Sequence, residues 1–475
     1  MQHHAPPKTP ARCPAHRNVP LFGPEFGADP QRHYDQLRRM GPSAPVDIAP
    51  DVEVELVTSY DAALSILQNP AWFARDSRLW NALNEGRVPR DSPAVPMMGH
   101  RPNALFADGA AHARLRQAIT DSLATIEEIR LVRLVQRSAD YLVSRFADEP
   151  HGRAELMADY AQPLPLLVFS DLFGCPPEIG DHVIAGISGI FEGAPGADEE
   201  LGGALSDLIA LKHLRPGADL TTRLLNHSAR LSDEEVLHQL VTLLSGGTLP
   251  LAATIGTSTA LYLDADWPAG LPVEDAIMRT LWHYAPIANY AAHYPRRDVE
   301  LGGRTLRAGD PVLISFAGAN TDPKLTEHRE QLSAKSHLAF GAGPHACPAK
   351  DPAFLIAVHA VESLLNRLPD VMMAACLDEL GWAPTPWIRS PASLPVRFTP
   401  RTVPSATERE VSGARTVPGR SGFPAERPGG SGFPAGRVDL ASAPRVTASA
   451  PRVSASAPHH GKGLFSRFLA WARGN

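Results

Sequence analysis

His337-Leu-Ala-Phe340-Gly341-Ala-Gly343-Pro-His345-Ala-Cys347-Pro348-Ala349 is the stretch on which the reading of this chain turns. It sets a thiol on a glycine-rich loop, and a run with helical spacing, 353–368, begins a few residues later. A lone cysteine in such a place serves as a metal ligand, a nucleophile or a packed core residue. The glycines let backbone approach a flat cofactor, and the amides and dipole of a nearby helix N-terminus favour a thiolate. A nucleophile would also need a general base in register, which the sequence leaves open. Cys13, Cys175 and Cys376 form no Cys-x-x-Cys pair. Four scattered cysteines are too few for a disulfide framework, so a reducing, cytoplasmic compartment is expected.

Outward from the loop, apolar residues recur at helical spacing over 30–40, 60–68, 110–123, 126–147, 156–173, 234–261, 273–284 and 353–368. Strand-like stretches are short: 52–58, 299–301, 305–306 and 311–315, with Gly302-Gly303 as a hairpin turn. A mainly α domain with small β-sheets follows from pattern alone. Of 475 residues, 44% are hydrophobic, enough for a large core. The 46 prolines are roughly double the ~5% of average usage, so part of the chain is expected to stay unfolded.

Charge shows which part. Residues 401–475 carry eleven Lys/Arg against four Asp/Glu, so the overall −6 is an average of −13 before residue 401 and +7 after it. Ser-Gly-Phe-Pro-Ala recurs at Ser421 and Ser431, and Ala-Pro-Arg-Val at Ala443 and Ala450. This composition buries too little apolar surface to offset its ordering entropy. Four segments are expected: a disordered 1–17, a folded 18–400, a disordered basic linker 401–460, and a short basic amphipathic helix in 461–475. In that last segment Leu464, Phe465, Phe468, Leu469 and Ala472 share a face, suited to peripheral contact with an anionic membrane, to a partner's groove, or to weak packing on the main domain. No secretory signal is expected at the N-terminus and no apolar run reaches the ~18 residues of a membrane span. The acidic folded part argues against nucleic acid as a partner.

The loop resembles the haem-binding segment of cytochrome P450, Phe-x-x-Gly-x-His-x-Cys-x-Gly/Ala. Phe340, Gly343, His345, Cys347 and Ala349 fill every specified position, with Gly341 between them. The resemblance implies haem b (iron protoporphyrin IX) as cofactor and Cys347 thiolate as axial ligand of its iron. It extends over about 18–400. Ala317-Gly-Ala-Asn320-Thr-Asp322-Pro323 resembles the Asn-x-Asp-Pro turn of bacterial members. Asp108-Gly-Ala-Ala-His112-Ala-Arg-Leu-Arg116 resembles the helix whose His and Arg, on one face at i and i+4, reach the haem propionates. His293 takes the place of a propionate-binding Arg, and His345 is the loop's own contributor.

Two family signatures are absent. Arg279-Thr-Leu-Trp282 stands where Glu-x-x-Arg is expected, as in an actinobacterial subgroup with Trp for that Arg, so indole packing is expected to replace the ion pair. On the central helix, Gly247-Thr248-Leu249-Pro250-Leu251 replaces the acid and alcohol that deliver protons during dioxygen activation. Thr248 either supplies a catalytic hydroxyl or satisfies a carbonyl of its own helix, and Pro250 removes a backbone donor. The resemblance implies a monooxygenase acting with O2 on a small or medium apolar metabolite, with protons from water, Thr248 or the substrate. Its alternatives are a peroxide-using or isomerase-like enzyme and a non-catalytic haem-binding accessory protein. No dinucleotide-binding glycine motif or iron–sulfur cysteine cluster occurs, so electrons are expected from a separate ferredoxin or flavodoxin. Expected pocket walls are 73–103, with Trp80, Met97 and Met98, then 184–195, 244–251 and 287–292.

Overall fold

A computed structural model describes residues 18–50, 52–192, 194–326, 332–401 and 464–473. The segment 1–17 and all of 401–460 but Arg401 lie outside them. The helix Asp233–Tyr262 runs through the core. Its start is fixed by a capping box: the Ser232 hydroxyl accepts from the Glu235 amide at 3.1 Å, and the Glu235 carboxylate accepts from the Ser232 amide at 2.9 Å. Asp233, Glu234 and Glu235 in the first turn complement its dipole. The residues from Leu251 to Leu261 are all buried, and the helix continues through Pro250. By length and mean composition alone this helix is long and apolar enough to cross a membrane, although Gly, Ser and Thr break up its apolar run; its buried second half marks it as a core helix.

Against it pack the helices Pro163–Leu172, Ala197–Leu214, Val273–His283 and Lys350–Arg367, and Glu128–Ser144 packs on the first and last of these. The single helix expected over 156–173 is a π-helical turn, Met157–Ala161, followed by the helix Pro163–Leu172. Pro163 has no N–H for the carbonyl of Asp159, so the ladder restarts there. A six-stranded mixed sheet runs in the order Val19–Pro20, Ser43–Ala49, Val52–Val57, Val312–Ser315, Asn289–Pro295 and Phe73–Ala74. Gly302 and Gly303, at φ +57° and +83°, turn the hairpin Val299–Leu301/Arg304–Leu306, the double left-handed geometry of a type I′ turn.

Where the family carries its ion pair, neutral bonds join the helix Val273–His283 to the segment before the Cys347 loop. The Trp282 indole donates to the Ala334 carbonyl at 2.7 Å, and its ring meets the edge of His337. Asn320 donates to the Leu281 carbonyl at 3.0 Å while its own carbonyl accepts from the Leu338 amide at 2.7 Å. Asp322 accepts from the Tyr60 amide, and the Tyr60 hydroxyl donates to the Ser336 carbonyl at 2.6 Å.

The C-terminal helix Leu464–Ala472 belongs to the same compact unit. Its apolar face, expected to meet a membrane, a partner or the domain, lies on the domain: Phe465 and Phe468 are fully buried.

Candidate cofactor site

The loop approaches its neighbours through backbone. Gly341 and Gly343 both have φ +69°, and a Cβ on Gly343 would stand 2.2 Å from the Leu67 carbonyl oxygen. The Cys347 amide donates to the Phe340 carbonyl at 2.8 Å, and the Ala349 amide donates to the Cys347 sulfur at 3.4 Å. Burial pushes the thiol's pKa up, while the Ala349 N–H, Arg116 and Lys350 pull it back.

Cys347, Phe340, Gly341, His345 and Ala349 line a cavity with about 1800 Å³ of empty space, its open mouth included. Arg116 and His293 line it too. His112 sits one turn from Arg116 on the helix Gly109–Leu123, behind the wall, its ring 3.9 Å from that of His345. Arg116 also donates to the Ala346 carbonyl. Between Tyr290 and His293 the strand register shifts, and Ala291 adopts φ +56°. That irregularity accompanies the placing of His293 on the cavity, its Nδ1 2.5 Å from the Ala291 carbonyl.

Sequence reasoning missed Arg75. It follows the strand Phe73–Ala74, whose pairing of Ala74 with Tyr294 brings it beside His293. It is buried, lines the cavity, and donates through Nη1 to the Ala292 carbonyl at 2.6 Å. Its Nε, like His112 Nε2, is buried without a hydrogen-bond partner.

Five cation-forming groups therefore crowd one end of the cavity, and among the described lining residues there is no carboxylate. Burial holds the His345 imidazole down to about 2, with Arg75, His112, His293 and Arg116 adding to the effect. Burial, then Arg75, holds His293 well below its ordinary range, and burial, then Arg116, lowers His112. Such a cluster is stabilised by anions brought from outside.

The central helix supplies Gly246, Gly247, Pro250, Leu251 and Thr254 to the same cavity. The Thr254 hydroxyl is committed to the Pro250 carbonyl at 2.7 Å, Thr242 to that of His238 and Tyr290 to that of Met97. Thr248 is not on the wall. Its hydroxyl is buried without a partner, so it neither bonds a carbonyl of its helix nor reaches the cavity, because one position along a helix turns a side chain by about 100°. Of the expected walls, the described residues of 184–195 do not line the cavity, nor do Trp80, Met97 and Met98, which pack in or against the core.

An apolar cavity with a thiol on its wall and two arginines and three histidines gathered at one end suits a large, flat cofactor with acidic tails. The two unpartnered nitrogens, and the absence of carboxylates among the described lining residues, fit the two propionates of haem b.

Comparison with known proteins gives the same answer. No family model matches the chain. The chain is 33% identical over 397 residues to the cytochrome P450 monooxygenase PikC of Streptomyces venezuelae, covering 79% of this chain and 93% of that protein. It is 30% identical over 399 residues to the 2-hydroxy-5-methyl-1-naphthoate 7-hydroxylase of Streptomyces carzinostaticus, covering 79% and 96%. The solved structure of CYP154C4 from Streptomyces sp. ATCC 11861 superposes with a TM-score of 0.73 at 26% identity, covering 80% and 98%. The chain belongs to the cytochrome P450 family. Its cofactor is haem b, and it is an oxidoreductase whose relatives are P450 monooxygenases.

Proposed function

We propose that this chain is a cytoplasmic haem-thiolate monooxygenase that inserts one oxygen atom from O2 into a small or medium apolar metabolite, receiving electrons from a separate ferredoxin or flavodoxin. The observation that carries the reading is Cys347 on the wall of an apolar cavity that Arg75, Arg116, His293 and His345 line at one end. In this reading the Cys347 thiolate holds the iron, and Arg75, His112, Arg116, His293 and His345 hold the propionates, His112 through its unpartnered Nε2. Bound haem supplies the redox chemistry. Phe340, Gly341 and Ala349 give the ring its backbone bed. The apolar wall binds substrate and excludes water.

Proton supply sets this chain apart. Each hydroxyl named on the wall already donates to a backbone carbonyl, and no described lining residue is an acid. Protons then come from ordered water or from a hydroxyl or carboxyl of the substrate. The same observation favours a second reading, turnover driven by peroxide, which avoids the proton-dependent steps of O2 use. The relative named for a naphthoate supports the size class of the substrate.

Carbon monoxide on the reduced protein tests the core of this reading. The red-shifted Soret band of thiolate-ligated haem is expected, and Cys347→Ala is expected to abolish it. A wild-type protein without that band, or a variant that keeps it, refutes the assignment. Turnover with ferredoxin and O2, set against turnover with peroxide alone, separates the two readings.

A further inference from the structure

The helix Pro177–Glu192 is weak in sequence and flanked by packed helices. Three glycines interrupt it, and each marks a close approach. A Cβ on Gly186 or Gly189 would stand 2.7 Å from the Leu201 amide nitrogen or 2.8 Å from the Ala197 Cβ, both on the neighbouring helix Ala197–Leu214. Gly180 lies on a different face. There a Cβ would stand 2.1 Å from Cδ1 of Phe465, far from Gly180 in sequence. Glycine weakens a helix relative to alanine, so each of these positions trades local stability for contact.

The other partner is the C-terminal helix Leu464–Ala472. Phe465 fills the recess at Gly180, and Phe468 packs beside it, 5.4 Å from the Tyr141 ring on the helix Glu128–Ser144. Trp471 meets the same tyrosine at 5.5 Å. Asp181, next to the recess, accepts a hydrogen bond from the Phe465 amide at 2.7 Å, satisfying one of the orphan donors at that helix's N-terminus from another element. The helix therefore finds both an apolar seat and a polar cap on the same turn of Pro177–Glu192.

We propose that the face formed by Pro177–Glu192, Glu128–Ser144 and Pro163–Leu172 is a docking groove for this chain's own C-terminal helix, bound in cis, with Gly180 as its recess. The docked helix is a strap. It supplies packing that the glycines of Pro177–Glu192 cannot supply locally, so its release loosens that helix ahead of the core. Being part of the same chain, it competes for the groove at an effective concentration that a free peptide reaches only in excess.

Hydrogen exchange on the full-length, haem-loaded protein tests this, with the helix Asp233–Tyr262 as internal control and the ferrous carbon monoxide spectrum as check on folding. In the variant Phe465→Ser/Phe468→Ser, exchange over 177–192 is expected to rise on the order of tenfold while the control is unchanged. Gly180→Ala is expected to raise exchange over 177–192 in the wild-type background, because the methyl group meets Phe465. In the Phe465→Ser/Phe468→Ser background it is expected to slow exchange there, because alanine then only strengthens the helix. That reversal of sign is the signature of the recess. Equal exchange in wild type and the double variant, or the same sign for Gly180→Ala in both backgrounds, overturns the proposal. So does a wild-type dimer, by light scattering, that the double variant converts to monomer, since the groove would then hold a second copy's helix. Co-sedimentation of wild type with phosphatidylserine vesicles, accompanied by lost protection over 177–192, overturns it in favour of a membrane.

Discussion

The loop around Cys347 and the central helix around Pro250 line one cavity, yet only the first keeps the polar residues of its family. Phe340, Gly343, His345, Cys347 and Ala349 are all in place, and a buried arginine joins them. On the helix, leucine and proline stand where an acid and an alcohol are expected, and Thr254 spends its hydroxyl on the Pro250 carbonyl. Under the proposed function, holding a cofactor and feeding it protons are separable tasks, and the contrast between loop and helix is what bears on both. In that reading the thiol, the arginines and histidines and the apolar wall serve binding, and proton delivery is an added layer.

The largest test of that contrast is to rebuild the missing layer. Leu249→Asp with Pro250→Thr returns an acid and an alcohol to the helix. If proton delivery limits O2 use, product formation with ferredoxin should rise about 10²-fold, with less peroxide leaking per electron pair, while peroxide-driven turnover stays level. A rise in both routes would mean that the change merely reshaped the cavity.

On the loop side, His337 tests how dry the support is. Its imidazole lies 5.8 Å from both Trp282 and Phe340, with Nδ1 unpartnered, and burial lowers its pKa to about 4. The unfolded chain takes up this proton near its ordinary value, about 6.5, whereas the folded chain resists until about 4. Stability from this group is thus complete above about pH 6.5 and is lost as pH falls toward 4, by up to about 3 kcal/mol. Denaturant titrations across that window should show the loss, and His337→Phe should flatten it.

The smallest expected effect is at the rim. Arg75→Met removes one guanidinium from the cluster and should speed haem transfer to apomyoglobin about tenfold, the worth of one charge-assisted hydrogen bond. The thiolate Soret band should persist, which separates a rim effect from failure of the Cys347 assignment. An unchanged transfer rate would remove Arg75 from the propionate site.

What was legible in the sequence had local causes. Gly302-Gly303 announces its hairpin because two left-handed residues in succession are a glycine conformation. The loop announces its chemistry because its glycines and cysteine lie within a dozen residues. Arg75 gave no such signal, since it reaches the cavity only through the pairing of Ala74 with Tyr294, more than 200 residues away. The helices Pro177–Glu192 and Ala197–Leu214 were missed for a related reason: glycines at 180, 186, 189, 202 and 203 blur the helical pattern, and packing restores what propensity lacks. Thr248 was misplaced because the spacing put it near the right turn of the helix but on the wrong face.

Trp282 and Asn320 carry a last consequence. An ion pair weakens as dissolved ions screen it, over about 10 Å at 0.1 M salt. The bonds that tie Leu281 and Trp282 to Leu338 and Ala334 have no net charge to screen. The junction beneath the cysteine loop should therefore hold as firmly in concentrated brine as in dilute buffer.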